Sequence, residues 1–360
     1  MPELTEYALP AQISRRVGPS GESANQLRLR AMAEFLDDCG WRDVALRPLA
    51  GDASFRRYYR LQSDDRRAIL MDAPPPQEDV APYVTISTLL RDLGFSAPAI
   101  LAENRVVGFL LIEDFGDDTY TRLLARGANE AALYTLAIDT LIELQRAAGA
   151  RDLADLPSYD AARLLAEAAL LVDWYIPAII GKPLGDGLRQ EYLALWRAVL
   201  PLAALPADTL VLRDYHVDNL MLMPDRFGVR GCGLLDFQDA VRGPPSYDLV
   251  SLLEDARRDV GVELRRAMTE RYLAAFPNVD RSAFHCSAAI LAAQRNCKIL
   301  GIFTRLWKRD DKPGYLVHLP RVWRLLERDL AYPALAPIAE WLDHYLPPGA
   351  RCTPVTRAPA

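Results

Sequence analysis

A polar block enclosed by two apolar runs constrains the fold of this chain more than any other feature. Residues 211–223 read VLRDYHVDNLMLM, so ionisable and amide side chains at 213–219 interrupt two segments typical of buried strands. A second polar cluster follows in GLLDFQDA, where Asp236 ends another apolar run. Because buried polar groups are costly unless they are paired, the fold is expected to gather these side chains in one place.

The spacing of the two clusters predicts a hairpin. Asp214 and Asp236 lie 22 residues apart, which leaves room for a loop, two short strands and a turn at PDRFG. Such a hairpin returns the end of its second strand to the loop before its first strand, so Asp214, Asn219 and Asp236 are expected to converge. Carboxylate and amide oxygens suit a hard cation such as Mg²⁺ with bound phosphates. A carboxylate off the metal suits a base for an attacking hydroxyl.

Hydrophobic periodicity divides the chain into a β-rich first part and a helical second part. Residues 24–40 and 83–94 have helical spacing, whereas residues 43–74 read as three short strands and 99–118 as two more. Helical patterns then dominate, apart from a β-like block at 208–239. The pattern predicts an α+β protein with a small β-rich N-lobe and a larger α-helical C-lobe. The expected divisions are a leader at 1–24, an N-lobe at 25–117, a C-lobe at 118–347 and a disordered tail at 348–360.

Composition argues against several classes of partner. A net charge of −6 disfavours bulk binding to nucleic acid or to an anionic membrane, and no apolar run reaches the roughly 20 residues that span a bilayer. The five cysteines are scattered without a C-x-x-C pair, which argues against a disulfide framework or a structural zinc site. The N-terminus lacks a secretory pattern. We therefore expect a reduced, cytoplasmic protein without nucleic-acid, membrane or obligate protein partners.

The motif Asp214-x-His216-x-x-Asn219, followed by Leu-Asp236-Phe, resembles the catalytic core of the aminoglycoside phosphotransferase and choline kinase group. That group is related to protein kinases, so the resemblance implies a two-lobed protein-kinase-like fold. It implies that Asp214 is the catalytic base, and that Asn219 and Asp236 hold Mg²⁺ on the phosphates of ATP. The segment GPPSYDLVSLL is similar to a downstream segment of the group, in which Asp248 would support the loop.

Other residues of the polar block have weaker assignments. His216 is expected to brace the loop, and Asp218 is expected to face water. An Asp/His/Asp zinc site competes with this assignment, although no soft ligands lie nearby in the sequence. Leu212 and Arg213 stand where the group often has His-Gly, which places Arg213 beside the acceptor.

The N-lobe departs from the group at its phosphate-binding lysine. Kinases of the group place a lysine on the third strand, but that position holds Met71, and the first 181 residues contain no lysine. The turn AGDASF is also a poor glycine-rich loop. We expect Arg57 or Arg60 to contact phosphate instead, since arginine donates several hydrogen bonds to it. The expected nucleotide-binding residues are Ser54, Arg57, Arg60, Glu113 and Phe115, the last two through main-chain groups around adenine at the lobe junction.

Further segments, such as LAGDASFRRYYRL and AAQRNCKILGIFTRLWKRD, resemble one bacterial branch of the group over residues 25–347. The resemblance implies a small-molecule amino sugar as substrate. Members of the branch phosphorylate the anomeric hydroxyl of N-acetylmuramate or N-acetylglucosamine in peptidoglycan recycling. Polar groups of mixed sign suit such a sugar, and a basic residue could pair the lactyl carboxylate of muramic acid. The candidate acceptor residues are Arg213, Tyr215, Asp255, Arg258, Gln294, Asn296 and Lys298.

Two alternatives remain open. The acceptor could be an aminoglycoside, choline or an amino alcohol, although a cationic acceptor would want an acidic patch and the C-lobe helices mix basic and acidic groups. The chain could also be a catalytically weak nucleotide-binding regulator, as the absent lysine suggests. The intact set of Asp214, Asn219 and Asp236 argues against a regulator.

Overall fold

The computed structural model describes residues 23–49, 55–63, 66–205 and 208–354. Its strands are β1 (Arg47–Pro48), β2 (Arg57–Gln62), β3 (Arg67–Asp72), β4 (Ile100–Asn104), β5 (Phe109–Ile112), β6 (Thr209–Val211), β7 (Leu220–Leu222), β8 (Cys232–Leu234) and β9 (Val241–Gly243). Its α-helices are α1 (Ala24–Asp38), α2 (Ala81–Asp92), α3 (Tyr120–Ala125), α4 (Glu130–Gly149), α5 (Ala161–Leu170), α6 (Ile176–Ile180), α7 (Asp186–Val199), α8 (Ser246–Leu253), α9 (Val262–Ala274), α10 (Arg281–Asp310), α11 (Leu319–Leu330) and α12 (Ala336–Tyr345).

The chain forms two compact units. The β-rich unit contains the residues up to Val80 together with Ile100–Asp114, and the helical unit contains Ala81–Ala99 together with the residues from Phe115 onward. Residues 81–99, which the sequence division places in the N-lobe, therefore group with the helical unit. Of the expected leader, residues 1–22 lie outside the described residues.

Both ends of the described chain are more structured than the sequence predicts. The Ser23 hydroxyl accepts a hydrogen bond from the Gln26 N–H, and the Ser23 N–H donates one to the Gln26 side-chain oxygen, so Ser23 caps α1 rather than ending a leader. Near the other end, the Cys352 carbonyl accepts a 2.6 Å hydrogen bond from the Tyr175 hydroxyl. Within the expected tail, Pro348–Ala350 also form a short helical turn, and disorder of the tail stays a prediction.

The β-rich unit is an antiparallel sheet with strand order β1-β2-β3-β5-β4, covered on one face by α1. Alternation along β2 places Leu61 and Tyr59 against α1, and Arg57 belongs to that same face. Arg60 and Tyr58 lie on the opposite face. Tyr58 pairs directly with Met71 of β3, so Arg60 shares a face with the residue that replaces the expected lysine.

The helical unit is built around α10, whose inner face is buried along most of its 30 residues. At Gly301 this helix touches the backbone of α5, since a Cβ there would lie 2.3 Å from the carbonyl carbon of Leu170. The close approach places the side chains of α5 directly beside those of α10. In the described part of the chain, no helix is long and apolar enough to cross a membrane.

The polar block folds as the spacing predicts. Strands β7 and β8 pair antiparallel, with Leu220 opposite Leu234, and β6 pairs antiparallel with β9. The predicted hairpin is thus confirmed, and it lies between the loop at residues 212–219 and the segment that begins at Leu235.

Candidate active site

The loop that carries Asp214 is held by a buried carboxylate on α8. Asp248 accepts hydrogen bonds from the Leu212 N–H at 2.6 Å and from the Arg213 N–H at 2.9 Å. Burial raises the pKa of Asp248 to about 7, although the two N–H donors oppose that rise. Ser251 of the same helix donates to the Arg213 carbonyl at 3.1 Å. The backbone just before Asp214 is therefore pinned on both sides, which is the supporting role expected for Asp248.

Two residues at the site have left-handed backbones that ordinarily favour glycine. Arg213 has φ of 70° and Asp236 has φ of 56°. A non-glycine residue in this region costs on the order of 1 kcal/mol and persists where the surroundings hold it. Arg213 stands where the resembling kinases often have glycine, and the bonds from Asp248 and Ser251 explain how the chain keeps that backbone without one.

The hairpin brings Asn219 and the segment before Asp236 together. The Leu235 N–H donates to the Asn219 carbonyl at 2.9 Å, and the Asn219 amide nitrogen donates to the Asp214 carbonyl at 2.9 Å. Asp236 follows Leu235 directly and accepts a 2.9 Å hydrogen bond from Gln238. Short hydrogen bonds therefore join the loop of Asp214 and Asn219 to the strand end that carries Asp236.

The electrostatic surroundings keep Asp214 ionised. Burial alone would raise the pKa of this carboxyl, but nearby positive charges, with Lys298 the largest, hold it below its ordinary value. Arg295 and Arg213 act in the same direction. A carboxylate that is charged at neutral pH is able to accept a hydrogen bond, and later a proton, from a hydroxyl.

The neighbouring His216 is neutral and structural in character. Its ring is 5% exposed, and burial lowers its pKa. Its Nε2 lies 3.5 Å from the Asn219 amide nitrogen, which agrees with the expected bracing role. Among the described residues, no group of three or more His, Cys, Asp or Glu is arranged to hold a metal ion, so the competing zinc set is not assembled there.

A buried carboxylate that sequence reasoning missed organises the cations near Asp214. Glu167 of α5 places Oε1 2.6 Å from Arg213 Nη2 and 3.1 Å from Lys298 Nζ. Its Oε2 accepts hydrogen bonds from the Tyr159 hydroxyl at 2.5 Å and from Gln294 at 3.3 Å. Burial would raise the pKa of Glu167, but Lys298 and Arg213 hold it below its ordinary value.

Several predicted acceptor residues are buried in this structure. Tyr215 is 2% exposed and its hydroxyl donates to the Ala137 carbonyl at 2.7 Å, so its ring belongs to the core. Asn296 is 1% exposed and donates to Asp329 at 2.9 Å, on a different side of α10 from Glu167. Asp255 is 1% exposed and accepts the Arg257 N–H, and Gln294 is fully buried. These four side chains pack within the helical unit, and their contact with an acceptor stays a prediction.

The other three predicted acceptor residues, Arg213, Arg258 and Lys298, are only partly buried. Arg213 pairs with Glu167 at 2.6 Å, so a predicted role in acceptor recognition would be added to this structural contact. Lys298 belongs to the same cluster around Glu167, and Arg258 pairs with Glu130 at 2.7 Å.

Asp218, expected to face water, instead accepts a hydrogen bond from Thr121 and lies 3.2 Å from Arg257.

Arg57 and Arg60, the two candidates for phosphate contact, lie on opposite faces of the sheet in the β-rich unit. Arg57 is exposed on the face that α1 covers. Arg60 lies on the Met71 face and holds Asp114 through Nε at 2.9 Å and Nη2 at 3.0 Å. The predicted Ser54 lies outside the described residues.

The two residues expected around adenine are both half-buried. Glu113 follows β5. The ring of Phe115 packs on Gly233, where a Cβ would lie 2.9 Å from its Cδ2. The Phe115 side chain therefore has a packing role, which leaves its main chain as the part available to a ligand.

A β-rich unit, a helical unit and a catalytic-type loop braced by a buried aspartate define a phosphotransferase with a protein-kinase-like fold. The chain matches the model of the phosphotransferase enzyme family over residues 45–285 and belongs to that family. The predicted fold, family and enzyme class are thereby confirmed, and the chain is a nucleotide-dependent phosphotransferase acting on a small molecule.

Curated relatives cover nearly the whole chain. A protein of Caulobacter vibrioides named N-acetylmuramate/N-acetylglucosamine kinase is 37% identical over 353 residues, covering 89% of this chain and 97% of its own length. A protein of Pseudomonas aeruginosa with the same name is 38% identical over 350 residues, covering 91% of this chain and 99% of its own.

Solved structures of low identity show the same fold. The GDP complex of aminoglycoside 2'-phosphotransferase-IIIa superposes with a TM-score of 0.59 at 17% identity, covering 84% of this chain and 98% of that one. Choline kinase LicA from Streptococcus pneumoniae gives a TM-score of 0.59 at 14% identity, covering 84% and 99%.

Proposed function

We propose that this chain is an ATP-dependent kinase that phosphorylates the anomeric hydroxyl of N-acetylmuramate or N-acetylglucosamine and serves peptidoglycan recycling. The observation that carries the chemistry is the loop of Asp214, which the Asp248 carboxylate holds through two backbone N–H groups, with nearby cations that lower the pKa of Asp214. The choice of acceptor rests on similarity to relatives named for these two sugars. All five cysteines are free, which fits the proposed cytoplasmic location.

In the proposed mechanism, Asp214 orients the acceptor hydroxyl and accepts its proton late in phosphoryl transfer. An anomeric hydroxyl is more acidic than an ordinary alcohol, so a carboxylate with a low pKa is a sufficient base. The transition state of phosphoryl transfer is loose, and positioning and charge contribute more than proton abstraction. Lys298 and Arg295 keep Asp214 charged, and Asp248 keeps its loop in place.

The side chains of Asn219 and Asp236 would hold a magnesium ion, which would supply positive charge against the negative charge of the nucleotide phosphates. The Asn219 amide nitrogen is committed to the Asp214 carbonyl, so its amide oxygen is the end available to a cation. Asp236 supplies a carboxylate at the adjoining strand end. An oxygen-only pair of this kind suits Mg²⁺, which keeps several waters and binds with substrate phosphates.

Replacing Asn219 with alanine is expected to raise the Mg²⁺ concentration for half-maximal rate at least about ten-fold, because one oxygen ligand is lost. The measurement is the rate of ADP formation across a magnesium titration at fixed ATP. Asn278→Ala is the matched control, since Asn278 is exposed in a turn before α10. An unchanged magnesium requirement in Asn219→Ala would contradict the assignment.

We expect Arg60, rather than Arg57, to contact the ATP phosphates, because Arg60 shares a face with Met71. Ser54 and backbone N–H groups would assist this contact. We expect Arg60→Ala to raise the KM for ATP about ten-fold or more, as expected when a charge-assisted hydrogen bond is lost. Arg57→Ala is the matched control, since Arg57 lies on the α1 face, and its KM should change less. If both variants keep the wild-type KM, arginine does not replace the absent lysine.

The proposed function is tested by an ATP-consumption screen over N-acetylmuramate, N-acetylglucosamine, plain hexoses, choline and aminoglycosides. Phosphorus NMR of the product then locates the phosphate. Turnover on the N-acetylated amino sugars with an anomeric phosphate is the expected result. Turnover on choline or an aminoglycoside alone would overturn the proposed acceptor.

A further inference from the structure

A cleft of about 350 Å³ borders the loop that carries Asp214. Its walls include Val217 and Asp218, the third and fourth residues after Asp214. The other polar walls are Thr121 of α3, Arg321 of α11, and Arg257, Arg258 and Asp259 between α8 and α9. The volume lies at the lower end of the range for ligand pockets, roughly 300–1,000 Å³, which suits one substituted monosaccharide.

Three arginines line the cleft, and each of them pairs with one carboxylate: Arg257 with Asp218, Arg258 with Glu130 and Arg321 with Asp259. Arg257 is held by Asp218 through Nε at 3.2 Å, and its guanidinium lies 5.9 Å from the Phe303 ring centroid. Arginine has five N–H donors, and the contact with Asp218 uses only the Nε–H of Arg257. Within the described part of the chain, the two terminal nitrogens of Arg257 therefore remain available to bind a ligand.

Arg321 is fixed in a similar way from the other wall. Its Nη1 donates to the Ala256 carbonyl at 3.3 Å, and its Nε and Nη2 both lie 3.0 Å from the Asp259 carboxylate. The Arg321 side chain is 23% exposed, whereas Asp259 is 65% exposed. Water screens this pair because Asp259 is exposed, while its two-point contact strengthens it, so an incoming anion would bind Arg321 by exchanging with Asp259.

His318, near the cleft, responds to the charges of these arginines. Burial lowers the pKa of His318, and the charges of Arg257 and Arg321 lower it further. The field of Arg257 therefore reaches the α11 side of the cleft.

We propose that Arg257 and Arg321 form a carboxylate subsite that selects an acceptor sugar bearing an acidic side chain. The lactyl carboxylate of N-acetylmuramate has this chemistry, whereas N-acetylglucosamine lacks it. Arginine binds a carboxylate through paired N–H donors, and both guanidinium groups are already oriented by protein carboxylates. The inference rests on the proposed function, because it concerns the acceptor of that same reaction.

The experiment compares three acceptors: N-acetylmuramate, its neutral lactyl carboxamide and N-acetylglucosamine. In the wild type, kcat/KM for N-acetylmuramate should exceed that for the carboxamide about ten-fold or more. Arg257→Gln and Arg321→Gln should each remove most of that preference. Arg324→Gln is the matched control, since Arg324 also pairs with Asp259, on the same helix, but does not line the cleft.

Each outcome decides the inference. Loss of the preference in both cleft variants, with the preference kept in Arg324→Gln, supports the subsite. An equal fall for all three acceptors would show only a disturbed loop and would overturn it, as would an unchanged preference. A wild type that uses N-acetylglucosamine but shows no preference for the acid also overturns the subsite while sparing the proposed function. A wild type that phosphorylates none of these sugars overturns both.

Discussion

Replacing Asp214 with asparagine is expected to lower kcat about 10³-fold, within the range for loss of a general base, and to leave ATP binding near wild type. Asparagine keeps the shape of the side chain but cannot accept a proton. The loop itself should hold, because Asp248 and Ser251 bind the backbone of residues 212 and 213 and not the Asp214 side chain. The measurement is steady-state turnover with N-acetylmuramate, together with a calorimetric titration of ATP.

Asp225→Asn is the matched control for this prediction. Asp225 is exposed in the turn between β7 and β8, so the same chemical change should leave kcat unaltered there. A variant at Asp214 that retained more than about a tenth of the wild-type turnover would contradict the role of a general base. A wild type that bound ATP without turning over any acceptor would instead favour the regulator alternative.

The core of the site was predictable because its residues are neighbours in sequence. Asp214 and Asn219 share one loop, and two strands of three residues each return the chain to Leu235 beside Asn219. A hairpin of this length has few alternative geometries. The residue types and their spacing were therefore enough to place Asp236 at the same corner.

Glu167 was not predictable from local pattern, because its partners are distant in sequence. Arg213 is 46 residues away and Gln294 is 127 residues away. One indication was available, since Glu167 is the only acidic residue in the α5 sequence AARLLAEAAL. A lone carboxylate in such an apolar helix either faces water or meets a buried partner, and only the packing of α5 on α10 decides between these.

The acceptor residues on α10 were predicted as a group, but helix geometry divides them. Gln294 and Lys298 are four residues apart and share the face that meets Glu167. Asn296 points elsewhere and pairs with Asp329. The sequence specifies these relative directions but not the depth of each side chain, and it therefore could not show that Gln294 and Asn296 are buried.

Replacing Glu167 with glutamine is expected to destabilise the helical unit by about 3–5 kcal/mol, because it leaves the charges of Arg213 and Lys298 uncompensated in a buried site. Both cations are at most 15% exposed. Five of the six tryptophans belong to the helical unit, so fluorescence during urea unfolding follows that unit. We also expect turnover to fall at least about ten-fold, since Lys298 loses the anchor that holds it near Asp214.

Two further variants separate charge from packing at Glu167. Tyr159→Phe removes only one hydrogen bond to Glu167 and should cost about 1 kcal/mol. The double variant Glu167→Gln with Lys298→Met removes a carboxylate and an ammonium together, so it should recover part of the stability lost in Glu167→Gln alone. The double variant should nevertheless stay slow, because Asp214 loses the largest of the charges that lower its pKa. If Glu167→Gln and wild type unfold at the same urea concentration, the loop is held by Asp248 without help from this ion cluster.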